Sequence, residues 1–335
     1  MRIRFKIALI YVIILTFASC GEKNYINEGA VWGTSYRICY SSPAGDLSDS
    51  VTSVMRSVEL ELSMFDSLST VSRFNRGETV AVSPMLAEVL DVSRDVWRRS
   101  GGAFDPTVAP AVELWGFGRR RLPEGWVPDS ASVDSVRALV GLETVLLTDN
   151  GRLKAAGNGA GLDFSAIAKG LGVDCVAAML RRNGCNDYIV EIGGEIEVSG
   201  LSPRRRPWRV QIDSPASGFD GHEALRLIEA HNCAIATSGN YRNYRETGRG
   251  RVGHTIDPRT CFPAVTPTLS ATVIAPTCIV ADALATACMV LTPDEALEMI
   301  ASYPGAELLM VVMADNETDS MSVVSTPGFP SFGSR

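Results

Sequence analysis

Residues 270–287 read Ser270-Ala271-Thr272-Val273-Ile274-Ala275, then Pro276-Thr277, then Cys278-Ile279-Val280-Ala281-Asp282-Ala283-Leu284-Ala285-Thr286-Ala287. The pattern predicts an apolar strand, a turn at Pro276-Thr277 and a helix. A single carboxylate, Asp282, sits on that helix in apolar company, and Thr286 follows four residues on, so both oxygen-bearing side chains share one face. A carboxylate buried among Ile, Val, Ala and Leu needs compensation. A hard cation such as Mg²⁺ supplies it, because it takes carboxylate, hydroxyl, carbonyl and water oxygens. The structural alternative is an acid placed near a helix N-terminus, where the dipole favours it.

Outward from this unit, strands and helices mix without strict alternation, which predicts an α+β fold rather than a doubly wound sheet. Val31–Tyr40 reads as a strand. Leu47–Phe65, Leu86–Trp97 and Ser130–Val140 carry helical spacing, and Phe164–Arg182 is a further helix closed by Gly184. Tyr188–Ile192 and Glu195–Val198 read as strands around Gly193-Gly194, with further strands at Trp208–Ile212, Ala224–Ile228 and Leu308–Met313. Thr292-Pro293-Asp294-Glu295 opens a late helix with a cap, a proline at its first position and a capping-box Glu.

The ends carry their own signals. Arg2, Arg4 and Lys6 precede the apolar run Ile7–Phe17 and the small residues Ala18-Ser19, the pattern of an export leader over 1–19. Cys20 follows at once and looks like the acylated first residue of a bacterial lipoprotein, which places the chain outside the cytoplasm on a lipid anchor. Residues 20–30 then read as a tether, 31–325 as the folded domain and 326–335 as a flexible tail. The net charge is −7, and loss of the leader removes three cations and no anion. That balance argues against nucleic acid as a partner. Of eight cysteines, those beyond Cys20 show no CxxC spacing, and their odd number prevents complete pairing. His222, His231 and His254 are too scattered for a zinc cluster.

Several polar motifs lie between these elements. Gly101-Gly102-Ala103-Phe104-Asp105-Pro106 allows close backbone approach to a ligand. Asp163 reads as the N-cap of the following helix, and Lys169 as a cation able to reach a phosphate near that helix start. Gly193-Gly194 reads as a bulge or a close ligand contact, and Thr237-Ser238-Gly239-Asn240-Tyr241 as a polar turn. His254 is the best general-base candidate, because histidine titrates near neutral pH.

Together and in order, these elements resemble the FAD:protein FMN transferase (ApbE) family over nearly all of the mature chain, Val31 to about Met313. The resemblance rests on Trp32-Gly33-Thr34, Leu62-Ser63-Met64-Phe65 with Ser72-Arg73-Phe74-Asn75, and Gly102-Ala103-Phe104-Asp105-Pro106-Thr107. It continues through Ala166-Ile167-Ala168-Lys169-Gly170, Gly193-Gly194, Thr237-Ser238-Gly239, His254-Thr255-Ile256-Asp257-Pro258 and Asp282-Ala283-Leu284-Ala285-Thr286-Ala287. Trp32 stands where the family usually has Met, Phe65 where it often has Tyr, and Cys261 where a Gly is usual.

The resemblance implies a two-lobed mixed architecture with the ligand between lobes, and a periplasm-facing, lipid-anchored enzyme. Such an enzyme moves FMN from FAD to a Thr or Ser hydroxyl of a protein through a phosphoester bond and releases AMP. It implies Mg²⁺ on Asp282, Thr286 and the Ala166 carbonyl. It also implies FAD against Trp32, Phe65, Ala103, Phe104, Asp105, Asp163, Lys169, His254 and Ile256, with His254 or Asp257 accepting the hydroxyl proton. Implied acceptors are subunits of sodium-pumping or Rnf-type redox complexes, or flavin-bearing reductases. The competing readings are an FAD pyrophosphatase using water, and a lipoprotein that binds FAD without chemistry.

Overall fold

A computed structural model describes residues 23–120, 122–123, 125–215, 223–240, 244–247, 250–315 and 320–330. The leader, Cys20, His222, Tyr241 and residues 331–335 lie outside the described residues. The helices are α1 (Ser48–Leu62), α2 (Thr70–Asn75), α3 (Pro84–Arg99), α4 (Ala109–Trp115), α5 (Ser130–Arg137), α6 (Ala168–Arg182), α7 (Cys278–Cys288) and α8 (Pro293–Ala301). The early strands are β1 (Lys23–Val31), β2 (Thr34–Ser42), β3 (Val80–Ala81), β4 (Val145–Leu147), β5 (Arg152–Ala155), β6 (Tyr188–Ile192) and β7 (Glu195–Ser199). The later ones are β8 (Trp208–Asp213), β9 (Ala224–Ala230), β10 (Cys233–Gly239), β11 (Tyr244–Thr247), β12 (Gly250–Gly253), β13 (Ile256–Asp257), β14 (Phe262–Pro263), β15 (Thr268–Ala275), β16 (Glu307–Asp315) and β17 (Ser320–Ser325).

The frame is an eight-stranded sheet in the order β1-β2-β6-β7-β10-β15-β16-β17, antiparallel at every pairing. Residues 268–288 supply its centre: β15 turns at Pro276-Thr277 into α7 as expected. β15 is buried along almost its whole length because both of its faces are covered. Ala271, Val273 and Ala275 meet the helices, while Ile274 faces the other side with Ile235, Leu309 and Val311. That second face is closed by the β8–β9 hairpin through Trp208, Val210, Ile212 and Ile228. The capping box of α8 forms as its sequence requires, with Thr292 and Glu295 bonded reciprocally.

Four expectations are corrected. Residues 23–30, read as tether, form β1, paired with β2 over Lys23↔Ser42 to Val31↔Thr34. The Tyr25 ring stacks on Tyr40 at 5.6 Å, so this segment is anchored by pairing and ring contact despite its polar composition. The start of the expected tail is also held: Phe329 is buried beneath the β8–β9 hairpin, and Thr326 N–H donates to the Leu308 carbonyl. Gly193 and Gly194 form no bulge. Both have positive φ, +64° and +101°, and they join β6 to β7 as a two-residue hairpin with Ile192 opposite Glu195. This is the turn that two successive positive φ values favour. Thr237-Ser238-Gly239 is no turn either, because it ends β10 in mid-sheet, paired with Ser270–Thr272 of β15.

Candidate active site

The site grows from the contact between α6 and α7. Neither helix is capped by a side chain of its own N-cap residue, Ile167 or Thr277. Each is capped by an acid from the other. Asp174 of α6 accepts the Cys278 and Ile279 amides at the start of α7, both at 2.8 Å. Asp282 of α7 accepts the Gly170 amide in the first turn of α6 at 2.9 Å through Oδ2. The exchange satisfies first-turn donors that would otherwise be orphaned. It requires glycine at 170, where a Cβ would run into the Cys278 carbonyl. Asp163, expected to cap this helix, lies five residues ahead of it and instead bonds the Ser165 amide at 2.8 Å.

Asp282 and Glu195 are each 2 % exposed, and Lys169 lies between them. Its Nζ is 2.8 Å from Glu195 Oε1 and 3.6 Å from Asp282 Oδ1. Burial by itself would favour a neutral amine. The charges of Asp282 and Glu195 more than offset it, so the Lys169 pKa is raised and the ammonium persists. For Glu195, burial pushes the carboxyl upward, Lys169 holds it back and the Asp282 charge adds to the rise. Its second oxygen, Oε2, is buried without a hydrogen-bond partner. Such a group carries an uncompensated desolvation cost.

These three side chains form one wall of a cavity of about 1100 Å³. The same cavity brings together nearly all of the residues singled out from sequence. Ala166, Thr286 and Ser238 line the cavity with the acid pair, and the Ser238 and Thr286 hydroxyls are 3.3 Å apart. Ala103, Phe104, Asp105 and Asp163 contribute a second wall. Asp105 is buried and accepts the Thr107 amide and hydroxyl at 2.8 and 2.6 Å. Burial raises its pKa against the lowering effect of those Thr107 bonds. His254 and Ile256 complete the enclosure, the His254 ring standing edge-on to Phe117 at 6.4 Å. Phe65 is 61 % exposed at the rim.

Trp32 enters from the tip of the β1–β2 hairpin. Trp32 and Gly33 both have positive φ, +50° and +78°, a conformation that is strained for a bulky residue. Its ring sits over Gly172 of α6, where a Cβ would collide with it. The indole Nε1 is buried, has no hydrogen-bond partner, and its side chain lines the cavity. Cys261 likewise takes φ +59°, in the region that glycine favours.

One expected residue is not brought in. Asp257 lies off the cavity wall, with both oxygens gripped by Arg259, Nε on Oδ1 at 2.9 Å and Nη2 on Oδ2 at 3.0 Å. Both of its oxygens are thereby committed to the guanidinium in a forked ion pair. One residue that the sequence reading passed over is central: Glu195, next to the glycines it did single out. The available signal was the Glu195–Glu197 alternation at the start of β7, which puts both acids on the same face.

Asp282, Thr286, Ser238 and Ala166 line the cavity together with Lys169, so a carboxylate, two hydroxyls and a backbone carbonyl are the hard donors this wall offers. That set fits a small divalent cation. The described residues hold no array of three or more His, Cys, Asp or Glu side chains able to bind a metal, so such an ion would rest largely on neutral oxygens.

Residues 32–310 match the model of the ApbE family. The chain is 34 % identical over 318 residues to an FAD:protein FMN transferase of Vibrio cholerae, covering 92 % of this chain and 94 % of that protein. It is 30 % identical over 352 residues to the FAD:protein FMN transferase of Escherichia coli K12, covering 99 % and 98 %. The solved structure of the flavin transferase ApbE from Vibrio cholerae superposes with a TM-score of 0.81 at 33 % identity, over 92 % of this chain and 98 % of that one.

Proposed function

The chain belongs to the ApbE family and transfers FMN from FAD to a target protein; we propose that it does so by a Mg²⁺-assisted phosphoester exchange at the Lys169–Glu195–Asp282 wall. The observation that carries this reading is a cavity of about 1100 Å³ lined by the half-buried Lys169 ammonium, the two buried carboxylates of Glu195 and Asp282, and the hydroxyl-bearing Thr286 and Ser238. A pyrophosphate that joins a flavin half to an adenosine half needs cationic charge at its phosphates and room for a ring system on either side.

Asp282, Thr286 and the Ala166 carbonyl would hold the divalent ion, which would neutralise pyrophosphate oxygens and the charge that gathers on the departing phosphate. Lys169 supplies a second, permanent cation to the same oxygens. The walls formed by Ala103, Phe104 and Asp105, with Trp32 and Ile256, exclude water and orient the flavin and adenine portions. An acceptor Thr or Ser hydroxyl attacks the FMN-side phosphorus. A new P–O bond forms, the bond from that phosphorus to the bridging oxygen breaks, and AMP leaves with that oxygen. His254 takes the hydroxyl proton; Asp257, held by Arg259, does not.

The acceptor is taken to be a subunit of a sodium-pumping or Rnf-type redox complex, or a flavin-bearing reductase. The location is taken to be extracytoplasmic, through acylation of Cys20 after removal of residues 1–19. Both follow from the sequence resemblance and the leader pattern.

Mass spectrometry of a flavin-acceptor domain mixed with leaderless protein, FAD and Mg²⁺ tests the reading. The expected result is a gain of one FMN less water on the acceptor, abolished by EDTA. Free FMN and AMP with an unmodified acceptor would indicate hydrolysis, and intact bound FAD would indicate a carrier.

A further inference from the structure

Lys169 occupies the second position of α6, the positive end of the helix dipole, where a cation is disfavoured. The helix therefore does not account for its position, but Glu195 does. The 2.8 Å contact to Glu195 Oε1 is a charge-assisted hydrogen bond. The 3.6 Å separation from Asp282 Oδ1 is an ion pair too long to be one. Glu195 is fixed at the first residue of β7 by the Gly193-Gly194 hairpin. The tip of that hairpin also approaches the lysine stem, since a Cβ at Gly193 would lie 3.3 Å from Lys169 Cδ.

Resting on the reading of Asp282 as the cation ligand, we propose that Glu195 is a positioning residue that draws the Lys169 ammonium off Asp282 and so keeps an Asp282 oxygen open to the divalent ion. An ammonium on a side chain only 30 % exposed is costly to leave unpaired. Without Glu195, the carboxylate left for it is Asp282, and lysine and metal then compete for one ligand. The sequence reading gave Lys169 a single task, contact with phosphate. The geometry adds a second, in which its parking place decides access to the metal ligand.

The test is Mn²⁺ binding to the leaderless chain without FAD, followed by electron paramagnetic resonance, with folding checked by circular dichroism. Glu195→Gln preserves size but not charge, and Glu195→Asp preserves charge but not reach. Both are expected to weaken Mn²⁺ binding about tenfold, the usual cost of losing a partner that orients a ligand. Adding Lys169→Met to either is expected to restore wild-type affinity or better, because the competitor is gone. Wild-type affinity in Glu195→Asp would show that only net charge matters and would overturn the proposal. Failure of Lys169→Met to restore binding, or absence of binding in every variant including Lys169→Met, would overturn it as well. Asp282→Asn separates this outcome from the reading beneath it. If Asp282→Asn binds Mn²⁺ like wild type, the assignment of Asp282 is what fails; if it loses Mn²⁺ while Glu195→Asp does not, only the positioning role fails.

Discussion

Asp174 and Asp282 form two ends of one arrangement and meet different fates. Each reaches across the α6–α7 contact to cap the other helix. Asp174 spends both oxygens on amides, at 2.8 Å each, and does not line the cavity. Asp282 spends one oxygen on the Gly170 amide and turns the other toward Lys169 and the cavity. The chemistry of the caps is the same, and what differs is the bonding capacity left over. A buried acid by itself indicates architecture; a buried acid with an oxygen still facing a cavity, beside a second acid with an unpartnered oxygen, indicates a site.

The contrast can be broken most severely at Asp282. Asparagine there can still accept the Gly170 amide, so the fold should survive. Turnover of FAD with acceptor should fall by about 10³, the scale of losing one charged element of transition-state stabilisation. Near-normal turnover in Asp282→Asn would remove the distinction between the two acids. His254→Ala should lower kcat by about 10² with FAD affinity nearly unchanged, as expected of a proton acceptor; a compensating loss confined to KM would assign it to binding instead.

Asp174→Asn should do the reverse, leaving turnover within about twofold while costing about 1–2 kcal/mol of stability, the worth of a lost cap bond. Its pH behaviour sharpens the point. Burial raises the Asp174 pKa from 3.8 to about 7, against the lowering effect of the two amides. An acid whose pKa is raised on folding binds its proton more tightly in the native state. Its contribution to stability is therefore full below about pH 4 and is lost as pH rises toward 7. Denaturant melts across that window should show a decline in wild type that is flatter in Asp174→Asn.

The smallest effect is expected at Trp32→Phe. Removing an unpartnered indole N–H should not lower the stability of the ligand-free protein, yet should weaken FAD by about 1 kcal/mol if that N–H donates to it. A loss of stability without a loss of affinity would make Trp32 a packing residue.

What the sequence made legible follows from pattern length. The run from Thr268 to Cys288 has a clear strand period, a proline turn and a helix period, and Asp282 stood out because nothing near it is polar. The capping box at Thr292 and Glu295 was readable for the same local reason. Where side chains look outward into a cavity, composition misled. Thr237, Ser238 and Gly239 have turn chemistry but belong to a central strand, where the Thr237 and Ser238 hydroxyls meet those of Thr272 and Thr286 rather than solvent. Asp163 has cap chemistry, but the helix begins at Ala168, capped across the α6–α7 contact by Asp282. Glu195 escaped notice because its meaning comes from Lys169 and Asp282, which lie 26 and 87 residues away in the chain. Reciprocal capping is a property of two helices in contact, and no single stretch of sequence contains it.

The most direct test is the anomalous diffraction of Mn²⁺ in crystals of the leaderless chain grown with FAD. The account predicts a peak bonded to the cavity-facing oxygen of Asp282 and to Thr286 Oγ1, with the Lys169 ammonium still on Glu195 and no peak at Asp174. A metal bound elsewhere in the cavity with Asp282 still paired only to Lys169 and Gly170 would contradict it.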